Sequence, residues 1–148
     1  MPMKPILTAC AVALACATPA AAKGPDLNPE IMEKIKVEAG EELFRHECRR
    51  CHATDPVDPS YGPPLENVVG RGAGTYPDYD YSIALSASGI VWTDAAIRAW
   101  MEDNSGFMPG TKMRHVGITD RTIQDFILAY LHSISKQDNS AISEDLTK

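Results

Sequence analysis

The chain has 148 residues with 14 basic and 20 acidic side chains, a net charge of −6 with neutral histidines. That length admits one domain with a modest core and leaves no room for a second of ordinary size. The acid excess disfavours nucleic acid and favours encounter with a basic docking face, at a rate sensitive to salt. Aromatic residues are 7% of the chain against 10 glycines and 11 prolines, which suits short helices and long ordered loops and leaves space for a cofactor in the middle.

Residues 1–22 hold one charge, Lys4, then an apolar run over 6–17 and the small residues Ala20-Ala21-Ala22, the pattern of a signal peptide cleaved after Ala22. The run is too short and alanine-rich for a membrane anchor. Cys10 and Cys16 fall inside it. Lipidation is the minor reading for both, because the first has little hydrophobic run ahead of it and the second lacks a bulky residue three positions upstream. Cleavage removes Lys4 and no acid, leaving 13 bases against 20 acids, a net charge of −7. Cys48 and Cys51 are then the remaining cysteines.

Residues 23–29 read as a leader, with Asn28 as N-cap and Pro29 as first residue of a helix expected to run to Cys51, interrupted at Gly40. Leu43 and Phe44 form its apolar face. Residues 53–92 carry Pro56, Pro59, Pro63, Pro64 and Pro77, several glycines and no sustained period, so they read as an ordered loop wrapped around something. Thr93 caps a helix through Asp103, with Ala96, Ile97, Trp100 and Met101 on one face. A last helix begins at Thr119, and Ile123, Phe126, Ile127, Tyr130, Leu131 and Ile134 give it a continuous apolar stripe that must pack on another helix. The polar tail over 136–148 has no stripe and is expected to fray.

Cys48-Arg49-Arg50-Cys51-His52 is the C-x-x-C-H pattern of covalent haem attachment. Residues three apart on a helical turn share a side, so both thiols can reach the vinyl groups of one porphyrin while His52 is brought to the iron. The rival readings are weaker. A redox thiol pair wants a βαβ context, zinc needs two further ligands from His46, His52, His115 and His132 with no second pair at ligand spacing, and an exported cysteine pair can close a disulfide. Iron then needs a sixth ligand or an open site, and the place to look is the segment Phe107-Met108-Pro109-Gly110-Thr111-Lys112-Met113. A thioether there favours ferrous iron and raises the reduction potential.

With these residues the chain resembles class I cytochrome c of the mitochondrial and bacterial soluble type. The resemblance runs from about Gly40 to Ser133 and implies an all-α fold of three to five helices around one covalent haem c. Pro109-Gly110-Thr111-Lys112-Met113 matches the family's ligand loop, which implies Met113 as sixth ligand opposite His52. Met108 stands at a packing position. Tyr61-Gly62-Pro63-Pro64-Leu65 resembles the segment whose proline carbonyl accepts a hydrogen bond from the ligating histidine, so Pro63 is expected to orient His52. Gly70-Arg71, Tyr81 and Trp92 match positions around the haem propionates, and Gly40, Phe44 and Tyr130 match the crossing of the first and last helices.

Three positions depart from the family pattern. Trp100 stands where many members have a tyrosine bonded to the methionine sulfur, and Leu85 where many have an asparagine, so the network around Met113 is expected to be smaller and drier. His115 stands where a phenylalanine is common at the exposed haem edge. It reads as an edge residue, and the sharper alternative is a ligand that replaces Met113 when the loop loosens. Arg49, Arg50, Lys112 and Arg114 flank the two motifs and offer a basic rim for docking. The implied function is a periplasmic one-electron carrier, monomeric in isolation, that meets redox proteins as donor and acceptor. A haem subunit of a larger periplasmic oxidoreductase is the alternative. A peroxidase or gas-binding protein would need the iron position that Met113 closes.

Overall fold

The computed structural model describes residues 28–53 and 61–145, with side chains as far as Ser135. The signal segment 1–22 with Cys10 and Cys16, the leader up to residue 27, Pro56, Pro59 and the end of the tail lie outside the described residues. Five helices occur among those described: α1 (Pro29–Glu47), α2 (Ile83–Ser86), α3 (Asp94–Glu102), α4 (Asn104–Phe107) and α5 (Arg121–Asp145). Extended pairing among them is limited to one antiparallel bridge between Gly72 and Val91, so the fold is all-α.

Helix α1 starts as its sequence dictates, with Pro29 at the first position and the Asn28 side chain accepting from the Ile31 N–H at 2.8 Å. It ends at Glu47 rather than Cys51. The attachment motif continues as tight turns in which the Cys51 and His52 N–H groups both donate to the Cys48 carbonyl at 3.0 Å. The break expected at Gly40 is absent. Gly40 is buried inside the helix, and a Cβ there would overlap the Phe126 carbonyl oxygen. The glycine serves contact between two helices rather than a kink, and its helix-propensity cost of about 1 kcal/mol is offset by that close approach.

Helix α5 is the other half of this crossing. Its start falls two residues after Thr119, because Asp120 is the residue whose carboxylate accepts from the Thr122 and Ile123 N–H groups at 2.8 and 3.1 Å. Ile127 and Leu131 of its stripe are buried and Ile123, Tyr130 and Ile134 are partly buried against the core, while Phe126 stands outside that core and Leu128, not read as part of the stripe, is buried. Ile127, Leu128 and Leu131 are buried with Phe44 of α1, and the Phe44 and Tyr130 rings meet at 5.2 Å. Fully buried Gln124 keeps its polarity satisfied by donating to the Ile118 carbonyl at 2.6 Å. The backbone stays helical to Asp145, into the polar segment expected to fray; extending an existing helix adds one hydrogen bond per residue ordered and needs no new nucleus.

Helix α3 is capped by Thr93, whose hydroxyl accepts from the Ala96 N–H at 3.2 Å, and it buries Ile97 and Met101. His132 Nε2 lies 2.8 Å from Asp94 Oδ1 and joins α5 to the start of α3. The loop over 61–92 closes on itself: the Gly70 N–H donates to the Trp92 carbonyl at 2.9 Å, the Trp92 N–H to the Arg71 carbonyl at 2.9 Å, and the Ala73 N–H to the Ile90 carbonyl at 2.7 Å. Two single-turn helices, α2 within this loop and α4 after α3, have no counterpart in the sequence reading. Each is held by its own cap, Ser82 and Asp103, and is too short to show a period.

Candidate haem-binding site

The helices and the loop leave a cleft of about 1200 Å³, its open mouth included, between the α1–α5 crossing and the residues from α2 to the 109–113 turn. Phe44, Leu85, Trp92, Ile97, Met101, Ile127 and Leu131 give it apolar walls. Of the residues singled out from the sequence as haem contacts or ligands, Cys48, Cys51, His52, Pro63, Arg71, Tyr81, Trp92 and Met113 line this one space, whereas Gly70 lies outside its lining.

On one wall, the end of α1 presents Cys48 half-buried and Cys51 exposed, with His52 buried behind them. Ring Nδ1 of His52 lies 2.7 Å from the Pro63 carbonyl oxygen. A carbonyl only accepts, so Nδ1 carries the proton and Nε2 keeps its lone pair for a metal. Burial pulls the His52 pKa below its ordinary value, with the Pro63 bond opposing; the neutral, ligating form is the one favoured here. Gly62 makes this approach possible, since a Cβ at that position would lie 2.6 Å from Nδ1.

Burial also pushes the Cys48 thiol up to about 12, the opposite of the acidic thiol a redox pair uses. Cys48 and Cys51 are not joined to each other, and no group of three His, Cys, Asp or Glu side chains able to hold an ion occurs among the described residues. The raised Cys48 thiol counts against the redox-thiol reading.

On the other wall, Met113 closes the turn that begins at Pro109. The Thr111 N–H donates to the Met108 carbonyl at 3.2 Å, and the Met113 N–H to the Thr111 hydroxyl at 3.3 Å. The indole N–H of Trp100 donates to the Met113 sulfur at 2.9 Å. Trp100 is in turn fixed edge-on against Trp92 at 5.1 Å and Phe107 at 6.2 Å. Trp100 therefore supplies the sulfur-directed donor from a different side chain, while Leu85 makes the neighbouring wall apolar. Met108 is buried in the core. Lys112 reaches across to Asp80, donating to its carbonyl at 2.7 Å and its carboxylate at 2.6 Å.

Arg71, Tyr81 and Trp92 stand on the same side of the cleft. The Arg71 guanidinium donates to the Glu66 and Pro64 carbonyls and lies over the Tyr76 ring at 5.3 Å. His115 is at the mouth, with its side chain 19% exposed and Nε2 3.9 Å from Glu47 Oε2, so it is less open to solvent than an edge residue was expected to be. The basic rim is thinner than its sequence suggested. Arg49 turns inward to Glu66 at 2.9 Å, and Lys112 is paired with Asp80. Arg50 and Arg114 remain exposed.

Glu66, Asp80 and Tyr79, whose hydroxyl donates to the Tyr61 carbonyl at 2.7 Å, were not singled out from the sequence. Their partners lie 17, 32 and 18 residues away, and no local spacing announces such contacts. The donor set fits haem c: two thiols on the rim, an imidazole with Nε2 available, a thioether on the same cleft and apolar walls between them.

Comparison with known proteins agrees with this chemistry. The family model described as cytochrome c matches residues 37–135. A cytochrome c homolog of Rickettsia typhi is 39% identical over 102 residues, covering 68% of this chain and 58% of that protein. Cytochrome c2 of Rhodomicrobium vannielii is 37% identical over 93 residues, covering 62% of this chain and 74% of that protein. Among solved structures, cytochrome cH from Methylobacterium extorquens aligns with a TM-score of 0.60 at 39% identity, over 66% of this chain and 97% of its own. The chain belongs to the cytochrome c family and carries one haem c, attached through Cys48 and Cys51.

Proposed function

We propose that this protein is a periplasmic one-electron carrier whose iron is held between His52 and Met113. The observation that carries the reading is the Met113 sulfur lining the same apolar cleft as His52 and already oriented by the Trp100 indole N–H at 2.9 Å. Haem supplies the one-electron ferric/ferrous couple. The chain's own residues do the rest. Pro63 fixes the His52 tautomer, Trp100 aims the thioether, and the walls keep water from the metal so that neither axial position opens for substrate.

An enzyme acting on peroxide or a gas sensor would need a free axial position, and a positioned thioether removes it. Export follows from the signal-like residues 1–22, and no helix among the described residues is long and apolar enough to cross a membrane. Redox proteins are the partners, met transiently at the mouth where Cys51 is exposed.

The test is the absorption spectrum of protein exported from a host able to mature c-type haem, in both oxidation states, with and without carbon monoxide. A low-spin spectrum with the weak far-red band of sulfur-to-iron ligation, unmoved by carbon monoxide, is the expected result. A high-spin spectrum or ready carbon monoxide binding would overturn the ligand pair and the carrier reading with it.

A further inference from the structure

We propose that Arg49, the first variable residue of the attachment motif, and Glu66 form a clamp that sets how strongly His52 donates to the iron; the proposal rests on His52 being the proximal ligand. The acceptor that orients His52 sits in a segment with few backbone ties. Pro63 and Pro64 have no N–H, and the main-chain bond beside them is the Gly62 N–H on the Cys51 carbonyl at 2.6 Å, so beyond that tie the Pro63 carbonyl depends on side chains that grip the residues after it.

Two arginines supply it. Arg71 grips the segment through main-chain carbonyls, Nη1 on Glu66 at 3.2 Å and Nη2 on Pro64 at 3.4 Å. Arg49 grips it through a side chain: Nη1 donates both to the His52 carbonyl at 3.1 Å and to Glu66 Oε1 at 2.9 Å. One guanidinium therefore spans the turn that bears the donor ring and the segment that bears its acceptor. The two ends of the His52–Pro63 bond are thus held to each other by a side-chain link in addition to the main-chain bond from Gly62 to Cys51.

Arg49 is itself anchored. Its guanidinium lies 4.8 Å from the centroid of the Phe44 ring, at the α1–α5 crossing, and the Tyr130 hydroxyl is among its polar neighbours. The Arg49 and Glu66 side chains are 26% and 30% exposed, which weakens solvent screening relative to an open surface pair. Glu66 Oε2 is buried with no partner among the described residues, so Arg49 is what holds this carboxylate in place. A cation expected on the docking rim thus works inside, as a positioning residue.

The consequence is redox tuning. A firm bond from Nδ1 to the Pro63 carbonyl raises the basicity of the imidazole and stabilises ferric iron. Loosening the clamp weakens that bond and raises the reduction potential. Plain charge effects predict something different: losing the Arg49 cation would lower the potential, whereas losing the Glu66 anion would raise it.

The experiment compares holoprotein of the parent, Arg49→Met, Glu66→Gln and the double variant, by voltammetry and by NMR of the hyperfine-shifted His52 ring protons in the ferric state. Met keeps an unbranched stem over Phe44, and Gln keeps an acceptor, so the second single variant stands if the first folds poorly. The expected result is a rise in potential in both singles, a double variant close to the larger single, and displaced His52 ring resonances. Shifts of opposite sign that add in the double variant would overturn the clamp in favour of through-space charge. Unchanged potentials with a lower Tm would overturn it in favour of a structural tie alone. A parent whose His52 ring shows no hyperfine shift would overturn the ligand assignment beneath it, which sets that failure apart from a failure of the clamp.

Discussion

The two walls of the haem cleft are built to different standards. On the His52 wall the imidazole is buried, its ring lies against a glycine where a Cβ would overlap it, and the segment that bears its acceptor is gripped by Arg71 and Arg49. On the Met113 wall the thioether sits in a turn with one sulfur-directed hydrogen bond, and the turn is strapped to the neighbouring loop by Lys112 and Asp80, whose side chains are 49% and 96% exposed. Buried, directional contacts resist displacement, whereas an exposed ion pair contributes little and is screened by salt. Under the proposed ligation, the difference places any opening of the iron on the methionine side.

The largest expected effect comes from breaking the stronger wall. Gly62→Ala forces a Cβ against the His52 ring, and overpacking of this kind costs about 1–3 kcal/mol. We expect a fall in Tm and a loss of the low-spin spectrum, checked by thermal melting of the ferric protein and by its absorption. Met113→Ala attacks the weaker wall. It removes the proposed sixth ligand but no support of the α1–α5 crossing, so it is expected to leave the helical circular dichroism in place while admitting carbon monoxide and lowering the potential.

Finer tests sharpen the contrast. Trp100→Phe keeps the ring against Trp92 and deletes the donor to the sulfur, a loss of about 1 kcal/mol. It is expected to weaken the sulfur-to-iron band and to speed carbon monoxide entry, followed by stopped-flow mixing. Asp80→Asn is the smallest change, costing less than about 1 kcal/mol as exposed pairs do. Amide exchange should quicken over residues 109–113 and stay unchanged over 61–66. Equal protection of both segments in that variant would abolish the distinction between the walls.

Much of this was legible in order along the chain. The C-x-x-C-H motif carries its chemistry in five consecutive residues, and the stripe from Ile123 to Ile134 states one buried face because helical periodicity is local. The caps Asn28 and Thr93 likewise act within one turn of themselves. The expectation of Met113 as sixth ligand came from resemblance to a family loop; the structure places Met113 in the lining of the cleft with Trp100 on its sulfur. Gly40 shows where local reading fails: within its own helix a glycine signals a break, whereas the family resemblance put it at the helix crossing, and the Phe126 carbonyl pressed against it shows that it is there for contact.

What the sequence by itself determined is the attachment chemistry, the helical class and the apolar faces that must meet, because each depends on neighbours within a turn or on a contiguous motif. The tertiary structure alone decided which charges are available. Arg49 and Lys112 stand beside the motifs as cations in the sequence, yet each is occupied by a carboxylate 17 or 32 residues away, and Arg50 and Arg114 are what the rim retains. The physical reason is that an ion pair depends on distance in space, which chain closure around the cofactor cleft sets and sequence separation does not.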